Sequence, residues 1–156
     1  MPNGNSPRES ILVETLLPKD TNAAGHIFGG VVMSLMDKAA AVAALRYAKK
    51  RVVTASAEEI NFVNPIYVGE VVRAKANVVY TGRTSMDVEV IVETENIFKE
   101  SSRLAATGLF VMVAVDDQGK PVAIPQWEPD TEEGKRKYRE ALERRKIREQ
   151  KKRRNP

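Results

Sequence analysis

The segment FGGVVMSLMDKAAAVAALRY, residues 28–47, decides the fold. Its apolar positions go most of the way round a helix, and its side chains are small after Asp37. This pattern is typical of a helix that is wrapped by other elements rather than docked on a surface. At 1.5 Å per residue the helix would be about 30 Å long. The cations at residues 49–51 mark its end, since positive charge is favourable at a helix C-terminus.

Five strand-like segments flank this helix. In one of them, residues 85–98, valine and threonine alternate with aspartate and glutamate, which predicts a strand with one packed and one wet side, as in an antiparallel sheet. The connections between the later segments are too short for helical crossovers, so neighbouring strands are expected to be antiparallel. The sequence therefore predicts an α+β fold in which about five antiparallel strands curl around one long central helix. The segments are 10–17, 52–63, 69–80, 85–98 and 102–115.

Length and composition restrict the class of protein. The 156 residues suit one domain at 1–130 followed by a charged tail at 131–156. The lack of cysteine excludes a disulfide scaffold, a thiol nucleophile and a zinc–thiolate site, and no metal is expected. No run approaches the roughly 18 to 20 apolar residues of a membrane helix, and the N-terminus has no signal pattern, so we expect a cytoplasmic protein that does not associate with membranes.

The tail carries the basic charge of the chain. Residues 131–156 hold twelve Lys/Arg and five Asp/Glu, a net charge of +7, against −3 for residues 1–130. The sequence predicts a solvated helix or a frayed tail. A nucleic-acid-binding arm is less favoured, because the tail has one aromatic residue and charges of both signs.

The segment DTNAAGHIFGG, residues 20–30, is the first candidate for chemistry. Glycines let backbone N–H groups approach a ligand closely, and the first amides of a helix have no partner within it. Gly29 and Gly30 therefore offer a place for a developing negative charge. Taken alone, two glycines before a helix more often indicate close packing.

Asp37 is the candidate general base. The residues three and four positions away on its helix carry no charge, and an unpartnered carboxylate in an apolar helix costs stability. A catalytic role explains its presence. The alternative is that Asp37 shares a solvent-facing stripe with Lys38. His26, the one histidine, is interpreted as a residue that shapes the pocket, because Asp37 already supplies a base.

Spacing along the helix indicates a shared site. Asp37 lies about nine residues into the predicted helix, roughly 14 Å from the amides at its start, so one reacting carbonyl cannot touch both. We therefore expect the loop of one subunit to face the Asp37 of another. The alternating apolar residues of the last strand also leave more surface than one helix covers, which predicts a homodimer or larger assembly.

Four motifs resemble the hotdog-fold acyl-CoA thioesterases, the family of short bacterial acyl-CoA hydrolases and the brain-type cytosolic acyl-CoA hydrolase. The resemblance covers about residues 9 to 125. It implies the hotdog fold, hydrolysis of acyl-CoA to a free acid and CoA, and no cofactor beyond the CoA of the substrate. It also implies dimers joined through their sheets, often arranged as a trimer of dimers, a homohexamer. The motifs are TNAAGHIFGG at 21–30, MSLMD at 33–37, VTAS at 53–56 and GRTS at 82–85.

The resemblance also implies roles for particular residues. Asp37 matches the catalytic carboxylate, as general base or nucleophile. Asn22 matches a loop asparagine that positions water or the thioester on the partner subunit, and the amides near Gly29 and Gly30 match the oxyanion site. It does not support a required role for His26.

CoA phosphates call for cations and donors near the pocket mouth. Arg83 is the best candidate, although a plain hairpin turn with an exposed arginine fits its spacing equally well. The pantetheine arm is expected beside the strand after the helix, although Ser56 could equally face water. The candidates are Arg83, Thr84 and Ser85 for the phosphates, with Lys99 and Arg103 weaker, and Thr54, Ala55 and Ser56 for the arm.

A rival function is a non-catalytic acyl-CoA-binding sensor of the same fold. A second rival is an enzyme of this fold acting on aromatic or short polar acyl groups.

Overall fold

The long helix forms where the apolar segment predicts it. The computed structural model describes residues 7–155, and in it helix α1 spans Gly29–Ala48. Lys49 caps the helix: its φ of 52° is left-handed, and its N–H donates to the Leu45 carbonyl. A positive charge and a left-handed cap therefore coincide at the C-terminus of α1.

Five strands form a single antiparallel sheet, which confirms the predicted fold class. The sheet has the order β1-β3-β4-β5-β2, and every adjacent pair is antiparallel. The chain continues beyond the sheet into a second helix, α2. The bounds are β1 Glu9–Thr15, β2 Arg51–Phe62, β3 Val71–Thr81, β4 Ser85–Asn96, β5 Ser101–Val115 and α2 Glu132–Arg154.

The connection after β2 is not the hairpin that its short length suggests. β2 pairs with β5 at the sheet edge, and β3 lies three places away between β1 and β4. Three strand spacings amount to about 14 Å, whereas the eight residues 63–70 can span roughly 27 Å when extended. A short connection can therefore cross the end of the sheet without a helix.

α1 contacts all five strands, and the core lies between them. The alanines on its buried face let the helix sit close to the sheet. Gly108 of β5 marks one close approach, because a Cβ there would lie 2.7 Å from the methyl of Met36 on α1 and 2.5 Å from Ile60 on β2. The fully buried helix residues are Met36, Ala39, Ala40, Ala43 and Ala44.

α2 covers part of the outer face of the sheet, which corrects two predictions. The Asp87 side of β4 is only partly wet. Asp87 is fully buried and Lys137 of α2 donates to Glu89 at 2.9 Å, whereas Glu93 further along the strand is exposed. The helix is also not solvated all round, because Ala141 is fully buried against a cluster that includes Leu109. Part of the apolar surface that predicted an assembly is thus covered by the chain's own helix. The small Ala141 side chain permits this contact, and the basic residues of α2 offset the acidic strand.

One side of the protomer stays open. It is formed by the outer edge of β2 and the adjoining turns of α1, where large apolar side chains are exposed. Within residues 7–155, no helix combines the length and hydrophobicity needed to cross a bilayer. The exposed residues on this side are Met33, Leu45, Val53, Phe62 and Val63.

Candidate active site

Asp37 is held by β2 rather than turned into solvent. It is half-buried on α1, and its Oδ1 accepts a hydrogen bond of 2.6 Å from the Thr54 hydroxyl. A short bond from a hydroxyl to a carboxylate is charge-assisted and strong. Lys38 is exposed on α1, and no cation in the described part of the chain forms an ion pair with Asp37. The arrangement orients the carboxylate and leaves Oδ2 available for chemistry.

A bulge in β2 presents Thr54 and its neighbours. Thr54 pairs with Met112 of β5, the register shifts before Ser56, and Ala55 is left out of the pairing. Such bulges redirect side chains at strand edges. Thr54 and Ala55 are exposed, while Ser56 is half-buried and donates to Glu58 at 3.3 Å. These three residues therefore lie beside Asp37 on the open side of the protomer.

The loop before α1 is built around Asn22. Its Oδ1 accepts from the N–H groups of Ala24 (2.9 Å) and His26 (3.1 Å), and its own N–H donates to the His26 carbonyl at 2.7 Å. Asparagine favours such turns because its side chain imitates backbone, and Gly25 supplies the positive φ of 82°. The Nδ2 group donates to no protein atom among residues 7–155, so it remains free for a ligand.

The start of α1 presents two free amides. No acceptor within the described residues receives the N–H of Gly29 or Gly30, as expected at a helix N-terminus. The ring of Phe62 lies over Gly29, where a Cβ would come within 3.1 Å of it, whereas Gly30 faces open space. Two free donors beside an apolar ring suit a developing oxyanion.

A cavity of about 350 Å³ adjoins this loop. Asn22, His26 and Gly29 line one side of it, and Phe62 and Ile66 line the other. Predominantly apolar walls with a few polar groups are typical of ligand pockets. Sequence reasoning missed Phe62 and Ile66, because nothing in the pattern shows that the connection after β2 returns to the loop before α1.

One protomer holds two separate half-sites. Asp37 lies eight residues after Gly29, about 12 Å along the helix axis. On β5, Met112 pairs with Thr54 and Ala106 pairs with Phe62, and those six residues of strand span about 20 Å. The structure brings Asp37 together with Thr54, and Asn22 together with His26 and Gly29. It does not bring the two groups together within one chain.

The turn between β3 and β4 is occupied in part by α2. Arg83 is exposed and Thr84 is half-buried. Ser85 is buried, and its hydroxyl accepts a 2.6 Å hydrogen bond from Arg145. Arg103 is likewise engaged, in an ion pair with Glu70 at 2.7 Å. Arg83 and Lys99 are both exposed cations, and their roles in binding phosphate stay predictions.

Arg148 of α2 lies beside two carboxylates on the outer face of the sheet. Arg148 binds both oxygens of Glu58 at 2.8 and 2.9 Å, a contact that holds the pKa of Glu58 below its usual value. Its NH2 group also lies 3.5 Å from Asp87. Burial raises the pKa of the Asp87 carboxyl despite this cation. Within residues 7–155 no three His, Cys, Asp or Glu side chains are grouped to hold a metal ion.

Comparison with known proteins assigns the family. The thioesterase superfamily model matches residues 24–98. The chain is 36% identical to a rat cytosolic acyl coenzyme A thioester hydrolase over 89% of its own length, but spans only 37% of that relative. A solved apo-hexameric acyl-CoA thioesterase superposes with a TM-score of 0.88 at 40% identity, with 93% of each chain covered.

A third similar protein is an acyl-CoA hydrolase from Staphylococcus aureus, solved with butyryl coenzyme A and coenzyme A. It has a TM-score of 0.84 and 34% identity, covering 95% of this chain and 92% of that one. Its solved variants replace an asparagine, an aspartate and a threonine by alanine. The predicted resemblance is thus confirmed: the chain belongs to the thioesterase superfamily and has the hotdog fold of acyl-CoA thioesterases.

Proposed function

We propose that this protein hydrolyses the thioester of acyl-CoA to a free carboxylic acid and CoA. The observation that carries the proposal is the Asp37 carboxylate, held at 2.6 Å by Thr54 on the open side of the protomer. The relatives named as acyl-CoA hydrolases support the substrate class. The residue types replaced in the S. aureus enzyme are those of Asn22, Asp37 and Thr54.

Each half-site supplies part of the chemistry. Thr54 fixes Oδ1 of Asp37, so Oδ2 either takes a proton from water or attacks the thioester carbonyl directly. The free amides of Gly29 and Gly30 receive the oxyanion, and one such donor contributes about 3 kcal/mol. Proton transfer by a carboxylate adds roughly 10²- to 10⁴-fold. Asn22 offers its free Nδ2 to orient the water or the thioester.

We propose that the working site joins the Asp37 half of one subunit to the Asn22 half of another. The two halves are too far apart within one chain, while Asp37, Thr54 and the apolar side chains around them lie on the open side. A homodimer through β2 and α1 brings the halves together, and three such dimers form a hexamer. The hexameric form of a solved relative supports this assembly.

CoA is proposed to lie along the bulge of β2. Thr54, Ala55 and Ser56 would contact the pantetheine arm, and Arg83 with Thr84 would contact the phosphates. Ser85 is buried beside Arg145, so Arg83 and Thr84 are the more accessible residues of this turn. We propose no cofactor, no membrane and no nucleic-acid partner, and a cytoplasmic location in keeping with the cytosolic relative.

The test is release of free thiol from acyl-CoA substrates of several chain lengths. The parent should release CoA, and Asp37→Ala should lose most of that activity. Equal hydrolysis by the variant would remove Asp37 from the mechanism. Binding of acyl-CoA without hydrolysis by the parent would instead identify a sensor.

Mixing two inactive variants tests the shared site. Subunits carrying Asn22→Ala and subunits carrying Asp37→Ala, combined and reassembled, should regain part of the parental activity, because some interfaces then hold two intact halves. No gain over the separate variants would refute a site shared between subunits.

Single turnovers in ¹⁸O-water distinguish the two roles of Asp37, since label in the enzyme carboxylate would establish nucleophilic attack.

A further inference from the structure

A half-buried ion pair lies at the end of the sheet near the Asn22 pocket. Glu70 precedes β3 and is 5% exposed. Arg103 of β5 binds both of its oxygens, at 2.7 and 3.0 Å, and Thr94 of β4 donates to it at 2.8 Å. A buried carboxylate is tolerated only when its oxygens are satisfied. Here the partners come from β4 and β5, two interior strands, so the pair is anchored to the sheet.

The pair holds the connection that forms one wall of the pocket. The N–H of Tyr67 donates to Glu70 at 3.0 Å, and Arg103 donates to the Pro65 carbonyl at 2.6 Å. The Arg103 guanidinium also lies 5.4 Å from the centre of the Tyr67 ring. The ion pair thus holds residues 65–67 in place through hydrogen bonds at Pro65 and Tyr67. Burial pushes the pKa of Glu70 upward, yet the hydrogen bonds from Arg103, Tyr67 and Thr94 keep that pKa below its usual value, so the pair stays charged.

The same connection fixes the loop that carries Asn22. The Ile27 N–H donates to the Ile66 carbonyl at 2.9 Å, and the His26 ring packs edge-on against Tyr67 with centroids 5.1 Å apart. The hydrogen bonds of Asn22 lie within its own loop, so they set the shape of the loop but not its place on the sheet. Its placement depends on these contacts, on the Ile27 side chain buried in the core and on the helix that follows.

We propose that Glu70 and Arg103 are positioning residues, which set the Asn22 loop and the first amides of α1 against the reacting carbonyl through residues 65–67. The proposal rests on the proposed function and adds two residues that contact no reacting atom. A displacement near 1 Å of groups that orient a reaction costs on the order of 10²-fold in rate. The effect should appear in kcat, because neither residue lines the cavity beside Asn22.

The test compares Arg103→Met with Lys137→Met in the full-length, assembled protein. Lys137 forms a comparable half-buried ion pair with Glu89 at 2.9 Å, under α2 and away from the pocket. Arg103→Met should lower kcat for acyl-CoA by about 10²-fold, with KM within about threefold of the parent. Hydrogen exchange at residues 21–30 should become at least tenfold faster, while α1 beyond Asp37 exchanges as in the parent. Lys137→Met should change neither quantity.

Three results would overturn the proposal: unchanged exchange at residues 21–30, faster exchange throughout the fold, or a normal kcat despite faster local exchange. A higher KM with normal kcat would assign the pair to substrate binding instead. If Arg103→Met does not fold, Arg103→Lys keeps the charge but loses the fork that joins Glu70 to Pro65, and the same criteria apply. If the parent hydrolyses no acyl-CoA, the proposed function fails, and exchange alone decides whether the pair places the loop.

Discussion

Replacing Thr54 by valine tests whether the carboxylate must be held. The change removes the hydroxyl that donates to Asp37 at 2.6 Å and keeps a β-branched side chain of similar shape. Hydrogen bonds to charged groups contribute about 1.5 to 3 kcal/mol. At about 1.4 kcal/mol per tenfold, the rate effect is about 10- to 150-fold. We therefore expect kcat/KM for acyl-CoA to fall by that factor.

The assay is thiol release at several substrate concentrations, with unfolding measured in parallel. Because valine suits an exposed strand position, the free energy of unfolding should change by less than about 1 kcal/mol. Thr54→Ser is the matched control: it restores the hydroxyl and should keep the rate within about threefold of the parent. Activity of Thr54→Val within twofold of the parent, or equal losses in both variants, would refute a role for this hydrogen bond.

Three further predictions concern α2 and the face it covers. Leu109→Ala should lower the free energy of unfolding by about 2 to 5 kcal/mol in urea, because Leu109 is buried under the helix; a loss below 1 kcal/mol would contradict that packing. Asp87→Asn should gain stability relative to the parent as pH rises above about 4. Burial raises the pKa of Asp87, so the parent loses stability as pH passes through the folded-state value; a pH-independent difference between the two proteins would count against this. Arg148→Met should have a lower free energy of unfolding than the parent at pH 7, and this difference should shrink as pH falls below about 4. Arg148 lowers the pKa of Glu58, and the stabilisation that goes with it is lost when Glu58 is protonated. If urea titrations give the same difference in free energy of unfolding between variant and parent at pH 3 and pH 7, the prediction for Arg148 is refuted.

Local patterns predicted the elements well because local forces determine them. The helix at 28–47 differs by one residue at each end from Gly29–Ala48, and β5 at 102–115 differs by one from Ser101–Val115. The pairing of β2 with β5 could not be predicted from local patterns, since strand order depends on contacts between distant residues. The wet side predicted for β4 was right at the exposed Glu93 and wrong at the buried Asp87, because an alternating pattern does not show which part of a strand another element covers.

The candidate site was likewise predictable only in part: single residues were found, but contacts between distant residues were not. Asp37 was found because a carboxylate in an apolar helix is anomalous in any sequence. Thr54 is expected at the pantetheine arm, and no pattern indicates that its hydroxyl donates to Asp37, because that contact joins a helix to a strand. The Glu70–Arg103 pair gave no signal, because residues 33 positions apart meet only when β3 and β5 flank β4.

The outer edge of β2 affects how the protein behaves on dilution. This edge carries unpaired backbone groups beside Val53 and Phe62, each about half exposed. A bare strand edge of this kind templates aggregation unless another chain covers it. If subunits pair here, folding and association become linked, so the melting temperature rises with protein concentration. A dissociated subunit would then be short-lived, and loss of the interface would lead to precipitation.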